Sequence, residues 1–328
     1  MNTFGKLFRV SLYGESHQPC FGVMIDGIPA GIEINVDEMK EFIARRKPQS
    51  SNETARREDD CPIIKAGLFN GKTDGSPMVI EFFNQNTNSS DYDQFNSHPR
   101  PSHVDLVAKE KWNGFNDYRG SGMFSGRLTA AICAAGFVAS KIADFNCHSE
   151  IIACGDLADL ADLDSYLEDV KKEGDSVGGI IRVYASNPAK GLGEPYFYSL
   201  ESAVSQIMFS IGSVKGVSFG DELEFAKMKG SQYNDMIISS QGETSTNHAG
   251  GVNGGISNGN EIICNVHLRP ISSIAKPQET FNFENGKVQE LIIKGRHDAS
   301  IIKRVKVVLE SALMIALVDL FLIGKAYK

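Results

Sequence analysis

The C-terminal stretch from Val305 to Ile323 constrains the fold more than any other part of this 328-residue chain. It is apolar over most of its length but contains Lys306, Glu310 and Asp319. A membrane-spanning helix needs about 20 consecutive, predominantly apolar residues, and these charges interrupt the stretch too often. The sequence therefore predicts a helix that is buried inside a soluble protein.

A second helix is predicted over residues 128–145, where alanine and glycine recur. Its small side chains allow neighbouring elements to pack closely against it. Strand-forming segments such as 7–12 and 261–268 occur elsewhere, separated by turns. No linker with a shift in composition divides the chain, so residues 1–328 are predicted to form one compact domain of mixed α and β structure.

The net charge of −8 argues against non-specific nucleic-acid binding, which requires a basic surface. The N-terminus carries Lys6 and Arg9 and lacks the apolar core of a signal peptide. The cysteines form no CxxC pair, which predicts reduced thiols in a cytoplasmic protein, with neither a disulfide framework nor a metal site. These cysteines are Cys20, Cys61, Cys133, Cys147, Cys154 and Cys264.

Near the N-terminus, the apolar run 7–12 stops at Gly14 and is followed by Glu15, Ser16 and His17. Reactive side chains at the end of a buried strand frequently carry chemistry, because rigid elements hold them in place. A single histidine after a glycine is weak evidence for a site. The prediction therefore depends on which other residues of the chain lie close to Ser16 and His17.

The first predicted helix begins at the capping residue Asn35, with Glu38 placed to complete a capping box. The helix runs from residue 36 to about Arg46 and ends before Pro48. Cations at its C-terminal end are explained equally well by the helix dipole and by a binding site for an anionic ligand.

Further candidate ligand contacts lie in the middle of the chain. Prolines on both sides of Arg100 restrict the backbone and hold His103 at a defined position. The glycine-rich turn 117–127 enters a helix and offers backbone N–H groups to a phosphate.

The glycine cluster at 246–259 is denser than a hairpin turn requires, and favours close approach to a ligand. It is followed by Arg269 and Lys276, which flank hydroxyl residues. Asp298 precedes the C-terminal helix and has two readings, a helix cap and a functional carboxylate.

Taken together and in this order, these tracts resemble chorismate synthase nearly from end to end. The tracts are Gly14-Glu-Ser-His17, Asp26-Gly-Ile-Pro-Ala-Gly31, Arg100-Pro-Ser-His-Val-Asp105, Asp117-Tyr-Arg-Gly120, Gly174-Asp-Ser-Val-Gly-Gly179, Gly191-Leu-Gly-Glu-Pro195, Lys215-Gly-Val217, Asn247-His-Ala-Gly-Gly251, Gly254-Gly-Ile-Ser-Asn-Gly259 and Gly295-Arg-His-Asp298.

The resemblance implies an α+β fold, a β-α-β sandwich with helices packed between two antiparallel sheets, assembled as a homotetramer in the cytoplasm. It implies a carbon–oxygen lyase that converts 5-enolpyruvylshikimate 3-phosphate to chorismate and phosphate by 1,4-elimination. This is the last step of the shikimate pathway, and it requires reduced FMN without net redox change. No GxGxxG follows a strand, which favours the bacterial monofunctional type, associated with NADP and supplied by an external flavin reductase or another source of reduced FMN.

The resemblance also assigns residues. His17 would protonate or stabilise the departing phosphate, and His103 would face the N1/C2-oxygen edge of the flavin. Asp298, relayed through Ser16, would help the flavin N5 accept the ring proton. Residues assigned to substrate are Arg45, Arg46, Arg100, Arg127 and Arg296; those assigned to flavin are Ser125, Asn247, Gly254, Gly255, Ser257, Asn258, Arg269, Ser272, Ser273 and Lys276.

Several positions depart from the family pattern. Gln18 replaces a glycine, Met123 and Phe124 replace a cation and a hydroxyl, and Ser51 or Asn52 stands where an arginine is expected. A carboxylate and a later Pro-Cys pair, here Ala299-Ser300, are also absent. One lost charge-assisted hydrogen bond costs about 1.5–3 kcal/mol, which weakens binding without removing the chemistry.

All four assigned catalytic residues are present, so an active enzyme is expected. The alternative is a relative that binds FMN or a phosphorylated metabolite without turnover, which Met123 and Phe124 favour. A third reading, an oligomeric scaffold without a site, leaves the clustered glycines, arginines and histidines unexplained.

Overall fold

The computed structural model describes residues 1–47, 59–85, 90–294 and 297–327. The strands are β1 (Thr3–Phe4), β2 (Arg9–Gly14), β3 (Cys20–Asp26), β4 (Ile63–Ala66), β5 (Leu68–Phe69), β6 (Lys72–Thr73), β7 (Met78–Phe83), β8 (Asn146–Cys154), β9 (Gly179–Ser186), β10 (Val214–Phe219), β11 (Val252–Asn253), β12 (Ile256–Ser257), β13 (Ile262–Leu268), β14 (Gln278–Asn282) and β15 (Lys287–Leu291). The α-helices are α1 (Val36–Ala44), α2 (Asp105–Lys111), α3 (Thr129–Ser140), α4 (Leu163–Lys172), α5 (Leu200–Met208), α6 (Gly230–Tyr233) and α7 (Ile302–Ala326). Short 3₁₀ helices cover Ser90–Asn96, Arg119–Phe124, Gly126–Leu128, Leu160–Asp162 and Glu224–Lys227.

Two antiparallel sheets form the outer layers. The first has the strand order β1-β2-β3-β7-β4, and the second has the order β10-β13-β9-β8. Within the first sheet, Val23 pairs with Leu12 on one side and Ile80 on the other, and both Val23 and Ile80 are fully buried. The inward side chains of the two sheets therefore require an apolar layer between them.

Helices α3 and α7 provide that layer. Helix α3 packs against the first sheet, α7 packs against β8 and β9 of the second, and the two helices pack against each other. A Cβ atom on Gly136 would lie 2.3 Å from the Cβ atom of Ser311, so the crossing depends on a residue without a side chain. The expected close packing of the small-sided helix is confirmed, as is the α+β sandwich.

The predicted buried C-terminal helix is also confirmed. The stretches Arg119–Ser140 and Ile302–Ala326 have the length and composition of membrane spans. However, 72% and 78% of the 18-residue apolar segment in each stretch are buried inside the fold. The two carboxylates of α7 are satisfied internally: Glu310 accepts from Arg45 and Ser149, and Asp319 accepts from backbone N–H groups near the N-terminus.

Two local predictions need correction. The Asn35 side chain caps α1 as expected, but the carboxylate of Glu38 accepts from Lys141 at 2.7 Å and does not complete a capping box. Asp298 is not the cap of α7, because Ser300 Oγ accepts from the Ile302 N–H at 3.3 Å.

Candidate active site

A cavity of about 1140 Å³ opens where α1 ends, β13 ends, β10 begins and α7 begins. Pockets that enclose one drug-sized ligand have volumes of about 300–1000 Å³, so this cavity lies just above the upper end of that range. Among the described residues, six cations and three carboxylates line it: Arg46, Lys47, Arg100, Arg127, Arg269, Arg304, Asp59, Asp60 and Asp298. An acidic protein thus has a predominantly cationic cavity.

Two arginines on the cavity wall share one carboxylate. Arg46 Nη2 donates to Asp60 Oδ2 at 2.6 Å, and Arg127 Nη1 donates to Asp60 Oδ1 at 2.5 Å. All three side chains are at least nine-tenths buried. Burial raises the pKa of Asp60, but the two guanidiniums outweigh it and hold the pKa below its usual range. Asp60 is therefore a fixed anion in the wall.

Arg46 has the geometry expected of an anion-binding residue. Its Nε atom is buried and has no hydrogen-bond partner among the described residues, while its side chain lines the cavity. A buried donor without a partner is costly, and an anionic ligand would satisfy it. Arg46 therefore stays a predicted contact for an anionic ligand, with its side chain placed at the cavity.

Arg100 and His103 are held by one aspartate. Arg100 Nε and Nη2 donate to the two carboxylate oxygens of Asp105 at 2.8 and 2.7 Å, and Nη1 donates to Ser273 Oγ at 3.0 Å. His103 Nδ1 lies 2.7 Å from Asp105 Oδ1, and its Nε2 lies 3.4 Å from Ser121 Oγ. The ring orientation of His103 is thereby fixed at the cavity wall.

The surroundings of His103 disfavour its charged form. Burial lowers its pKa from the ordinary value, Arg100 and Arg269 lower it further, and the hydrogen bond to Asp105 opposes them without reversing the shift. An anion in the cavity would act in the opposite direction, because a nearby negative charge favours the imidazolium.

Asp298 lines the cavity, and a residue of the C-terminal helix holds its carboxylate in position. Arg304 Nη1 donates to Asp298 Oδ2 at 2.9 Å, and Arg304 Nε donates to the Arg46 carbonyl at 3.2 Å. Both side chains line the cavity. Arg304 therefore connects the end of α1 to the predicted catalytic carboxylate.

Ser16 and His17 lie behind the cavity wall. A Cβ atom on Gly120, which lines the cavity, would lie 2.2 Å from the His17 ring and 2.9 Å from Ser16 Oγ. The His17 ring also packs edge-on against Tyr92, at 5.2 Å between ring centroids. Ser16 Oγ is fully buried with no hydrogen-bond partner in the described part of the chain, so it makes no direct hydrogen bond to Asp298.

The flavin-assigned residues divide into two groups. Ser125, Arg269, Ser272 and Ser273 line the cavity. Arg269 Nη1 donates to Ser272 Oγ at 2.7 Å, which fixes the cation beside two hydroxyls. Lys276 does not line the cavity, because its ammonium pairs with Asp175 at 2.7 Å.

The glycine cluster lies at the other end of the second sheet. It precedes β13, whereas Arg269 follows β13, and a strand of this length separates its ends by about 20 Å. The residues concerned are Asn247, Gly254, Gly255, Ser257 and Asn258, and they are not part of the cavity lining. Within one chain they therefore lie apart from Arg269 and the cavity.

Contacts within the chain occupy much of this cluster. Asn247 Nδ2 donates to the Glu261 carbonyl at 2.8 Å, and Ser257 Oγ donates to the Ala189 carbonyl at 2.6 Å. The carbonyl of Gly255 accepts from the Leu200 N–H at 2.8 Å. These bonds hold the cluster as a rigid turn next to α5.

The arginines assigned to substrate also differ in whether they line the cavity. Arg46, Arg100 and Arg127 line the cavity, but Arg45 faces away and pairs with Glu310 at 2.6 Å. Arg296 and the Ser51/Asn52 departure lie outside the described residues.

The remaining departures have local explanations. Gln18 Nε2 donates to Asp117 Oδ2 at 2.8 Å and so ties the N-terminal motif to the glycine-rich turn. Phe124 lines the cavity, with its ring 5.5 Å from that of Trp112, whereas Met123 packs on the hydrophobic core. Ala299 is buried, and Ser300 supports the start of α7.

Sequence reasoning missed four residues of the site: Asp60, Asp105, Arg304 and Tyr92. Asp105 belongs to a motif already noted, and the Arg100 side chain five positions earlier was a signal for its partner. Asp60 follows a polar segment, and Arg304 lies on a helix predicted only as core, so neither carried a local signal.

The fold and the cavity define a class of protein, an α+β protein with a large, predominantly cationic cavity suited to anionic ligands. A family model described as chorismate synthase matches residues 8–322. A chorismate synthase from Chitinophaga pinensis is 46% identical, over 98% of this chain and 97% of its own length. One from Thermococcus gammatolerans is 38% identical, over 99% and 98%. The chain belongs to the chorismate synthase family.

A solved structure agrees at the level of the fold. A crystal structure of a chorismate synthase aligns with a TM-score of 0.74 at 24% sequence identity, covering 98% of this chain and 93% of that one.

Proposed function

We propose that this chain is an active chorismate synthase, a phosphate lyase that converts 5-enolpyruvylshikimate 3-phosphate to chorismate and phosphate. One observation carries the proposal. Within a chain of this family, His103, Asp298, Arg46 and Arg127 line a single cationic cavity. A substrate with two carboxylates and a phosphate requires such a set of cations, since guanidinium groups bind both anions well.

The cavity also fits a reduced FMN cofactor. Its volume is at the upper end of the range for ligand pockets, and Arg269, Ser272 and Ser273 form a cluster of donors suited to a phosphate or a flavin ring edge. When bound, reduced FMN supplies transient electron density to the elimination, and the protein supplies positioning and electrostatics. The neutral His103 would gain a proton as anionic ligands enter, and would then balance their charge.

The remaining residues have roles that follow from their positions. Asp298 is proposed to accept or relay the ring proton while Arg304 orients it. Arg46 and Arg127 are proposed to bind the anionic groups of the substrate. His17, packed beside Gly120 and Tyr92, is proposed to act on the departing phosphate from behind the glycine-rich turn.

We further propose that the chain is a single domain that forms a cytoplasmic homotetramer and receives reduced flavin from an external, NADP-linked source. The glycine cluster at Gly254–Asn258 is about 20 Å from the cavity of its own chain, so its assignment to flavin requires a second copy. The test is subunit mixing: Gly254→Trp and Arg269→Gln chains, each with weak FMN binding, should recover part of the binding when mixed. Undiminished FMN binding by the Gly254→Trp chain alone would place the cluster outside the flavin site.

The main test is anaerobic turnover with 5-enolpyruvylshikimate 3-phosphate and chemically reduced FMN, followed by chorismate absorbance. The control is the same mixture with oxidised FMN, which should yield no product. If folded protein makes no chorismate at any concentration of reduced flavin, the activity is wrong.

The alternative function is a binding protein without turnover, suggested by Phe124, which lines the cavity where a hydroxyl is expected; the comparisons give this alternative no support. Titration with oxidised FMN together with the turnover assay distinguishes the two candidates, because a binder without activity retains FMN affinity and makes no chorismate. Restoring the hydroxyl with Phe124→Ser should strengthen FMN binding if this position limits affinity.

A further inference from the structure

Asp60 is the central link of a hydrogen-bonded chain that joins the two ends of the sequence at the cavity. On one side, Arg127 Nε donates to Asn84 Oδ1 at 2.7 Å. Asn84 Nδ2 in turn donates to the carbonyls of Glu15 and Gln18 at 2.9 and 2.7 Å. The turn that carries His17 is thus tied to Arg127.

On the other side, the chain continues through Arg46. The Arg46 carbonyl accepts from Arg304, which also holds Asp298. The N-terminal motif and the motif before α7 are therefore linked, and the link passes through the carboxylate of Asp60. Lys47 Nζ reinforces this region by donating to the Asp59 carbonyl at 2.9 Å.

The backbone at Asp60 is strained in a way that favours its residue type. Its φ angle is +45°, in the left-handed region. Aspartate and asparagine adopt this region more readily than most non-glycine residues. Its side chain is 3% exposed, so the carboxylate is enclosed between the two guanidiniums.

Charge determines what this arrangement does for a ligand. Two guanidiniums face one carboxylate, so the group remains cationic and can attract an anion. Without the carboxylate, two buried cations would repel each other and turn away. Asp60 occupies Nη2 of Arg46 and leaves the buried Nε–H without a partner in the described structure.

We infer that Asp60 is a positioning residue of the active site, which fixes Arg46 and Arg127 on the cavity wall so that one anionic substrate meets both. It does so without contacting the substrate itself. The inference rests on the proposed function only for the identity of the substrate. Two other roles of Asp60 would give different results: a purely structural role, and competition with the substrate for the same arginines.

The test is Asp60→Asn, which keeps the side-chain volume and tolerates the left-handed backbone. Its amide nitrogen would face a guanidinium, so one arginine would be released. We expect KM for 5-enolpyruvylshikimate 3-phosphate to rise at least about tenfold while kcat changes by less than about threefold, the pattern of lost ground-state binding. Calorimetric titration with the same compound, without flavin, should show the same loss of affinity.

The matched control is Asp319→Asn, which alters another fully buried carboxylate far from the cavity lining. It should lower the melting temperature and leave KM unchanged. Asp60→Gly is a second variant, since glycine is free of strain at a positive φ, and it should raise KM as Asp60→Asn does.

Three other outcomes overturn the inference. A lower KM in either variant would identify Asp60 as a competitor of the substrate, and an unchanged KM would remove its role in binding. If neither variant folds, Asp60 is structural. An inactive wild-type protein that still binds the substrate more tightly than Asp60→Asn would reject the proposed function and keep this inference.

Discussion

Arg304 Nη1 donates to Asp298 Oδ2 at 2.9 Å, and this bond joins the first turn of the C-terminal helix to the candidate catalytic carboxylate. Both side chains are mostly buried, at 19% and 13% exposure. A charge-assisted bond in such surroundings is stronger than the same pair in water. Arg304 thus sets the orientation of a carboxylate that lies outside any regular element.

Replacing Arg304 with glutamine should lower kcat more than it raises KM. Loss of one charge-assisted bond, about 1.5–3 kcal/mol, corresponds to a tenfold to hundredfold decrease if Asp298 must be aligned for reaction. The measurement is steady-state turnover at saturating substrate and reduced FMN. Lys303→Gln is the control, since Lys303 pairs with Asp164 outside the cavity lining. A kcat within twofold of wild type in Arg304→Gln would remove its positioning role.

Gly120→Ala should impair the site from behind. The added methyl group would meet the His17 ring at 2.2 Å, and the φ angle of +55° disfavours alanine by about 1–2 kcal/mol. We expect turnover to fall by more than about tenfold. The melting temperature should also decrease, but the variant should remain folded at the assay temperature. Gly324→Ala is the control, because a Cβ atom there meets no atom within 4 Å. Wild-type turnover in Gly120→Ala would show that the position of His17 is unimportant.

His103 should titrate below its ordinary pKa of 6.5 in the ligand-free protein. NMR of the imidazole C–H resonances, assigned with His103→Gln, measures this directly. Asp105→Asn should lower the pKa further, because the carboxylate is the group that favours the imidazolium. A pKa above 6.5 in the wild type would contradict the dominance of burial.

The same shift has a consequence for stability. The unfolded chain binds a proton at His103 more readily than the folded chain does, so this residue makes folding less favourable as the pH falls below about 6.5. Denaturant unfolding measures the free energy of unfolding at pH 7 and pH 5. This free energy should fall more between the two pH values in the wild type than in His103→Gln.

Asp319 should matter for stability and not for catalysis. Its carboxylate is fully buried and accepts from the N–H groups of Lys6, Leu7 and Phe8 and from the Tyr198 hydroxyl. Asp319→Asn replaces an acceptor of these bonds with an amide donor, and we expect a loss of about 3 kcal/mol in the free energy of unfolding. Asp37→Asn, on the exposed face of α1, should change it little. Chemical denaturation measures both variants.

Much of the fold could be predicted because it depends on local pattern. The apolar stretch of α7 has to be enclosed in the core, and the capping residue Asn35 starts α1. The glycine-rich segment near Arg119 was predicted as a turn, and the structure has a kinked turn there. The motifs around Arg100 and His103 likewise indicated a site, since the residue types needed for binding anions lie close together in sequence.

Which charges meet was decided only by the tertiary structure. Arg45 and Arg46 are neighbours with the same side chain, yet one pairs with Glu310 of the core helix and the other with Asp60 at the cavity. Similarly, the two ligand-like tracts flanking β13 are close in sequence but lie at opposite ends of an extended strand. Local sequence fixes the direction and length of each element, whereas the partner of a charge depends on how the sheets and helices pack over long distances.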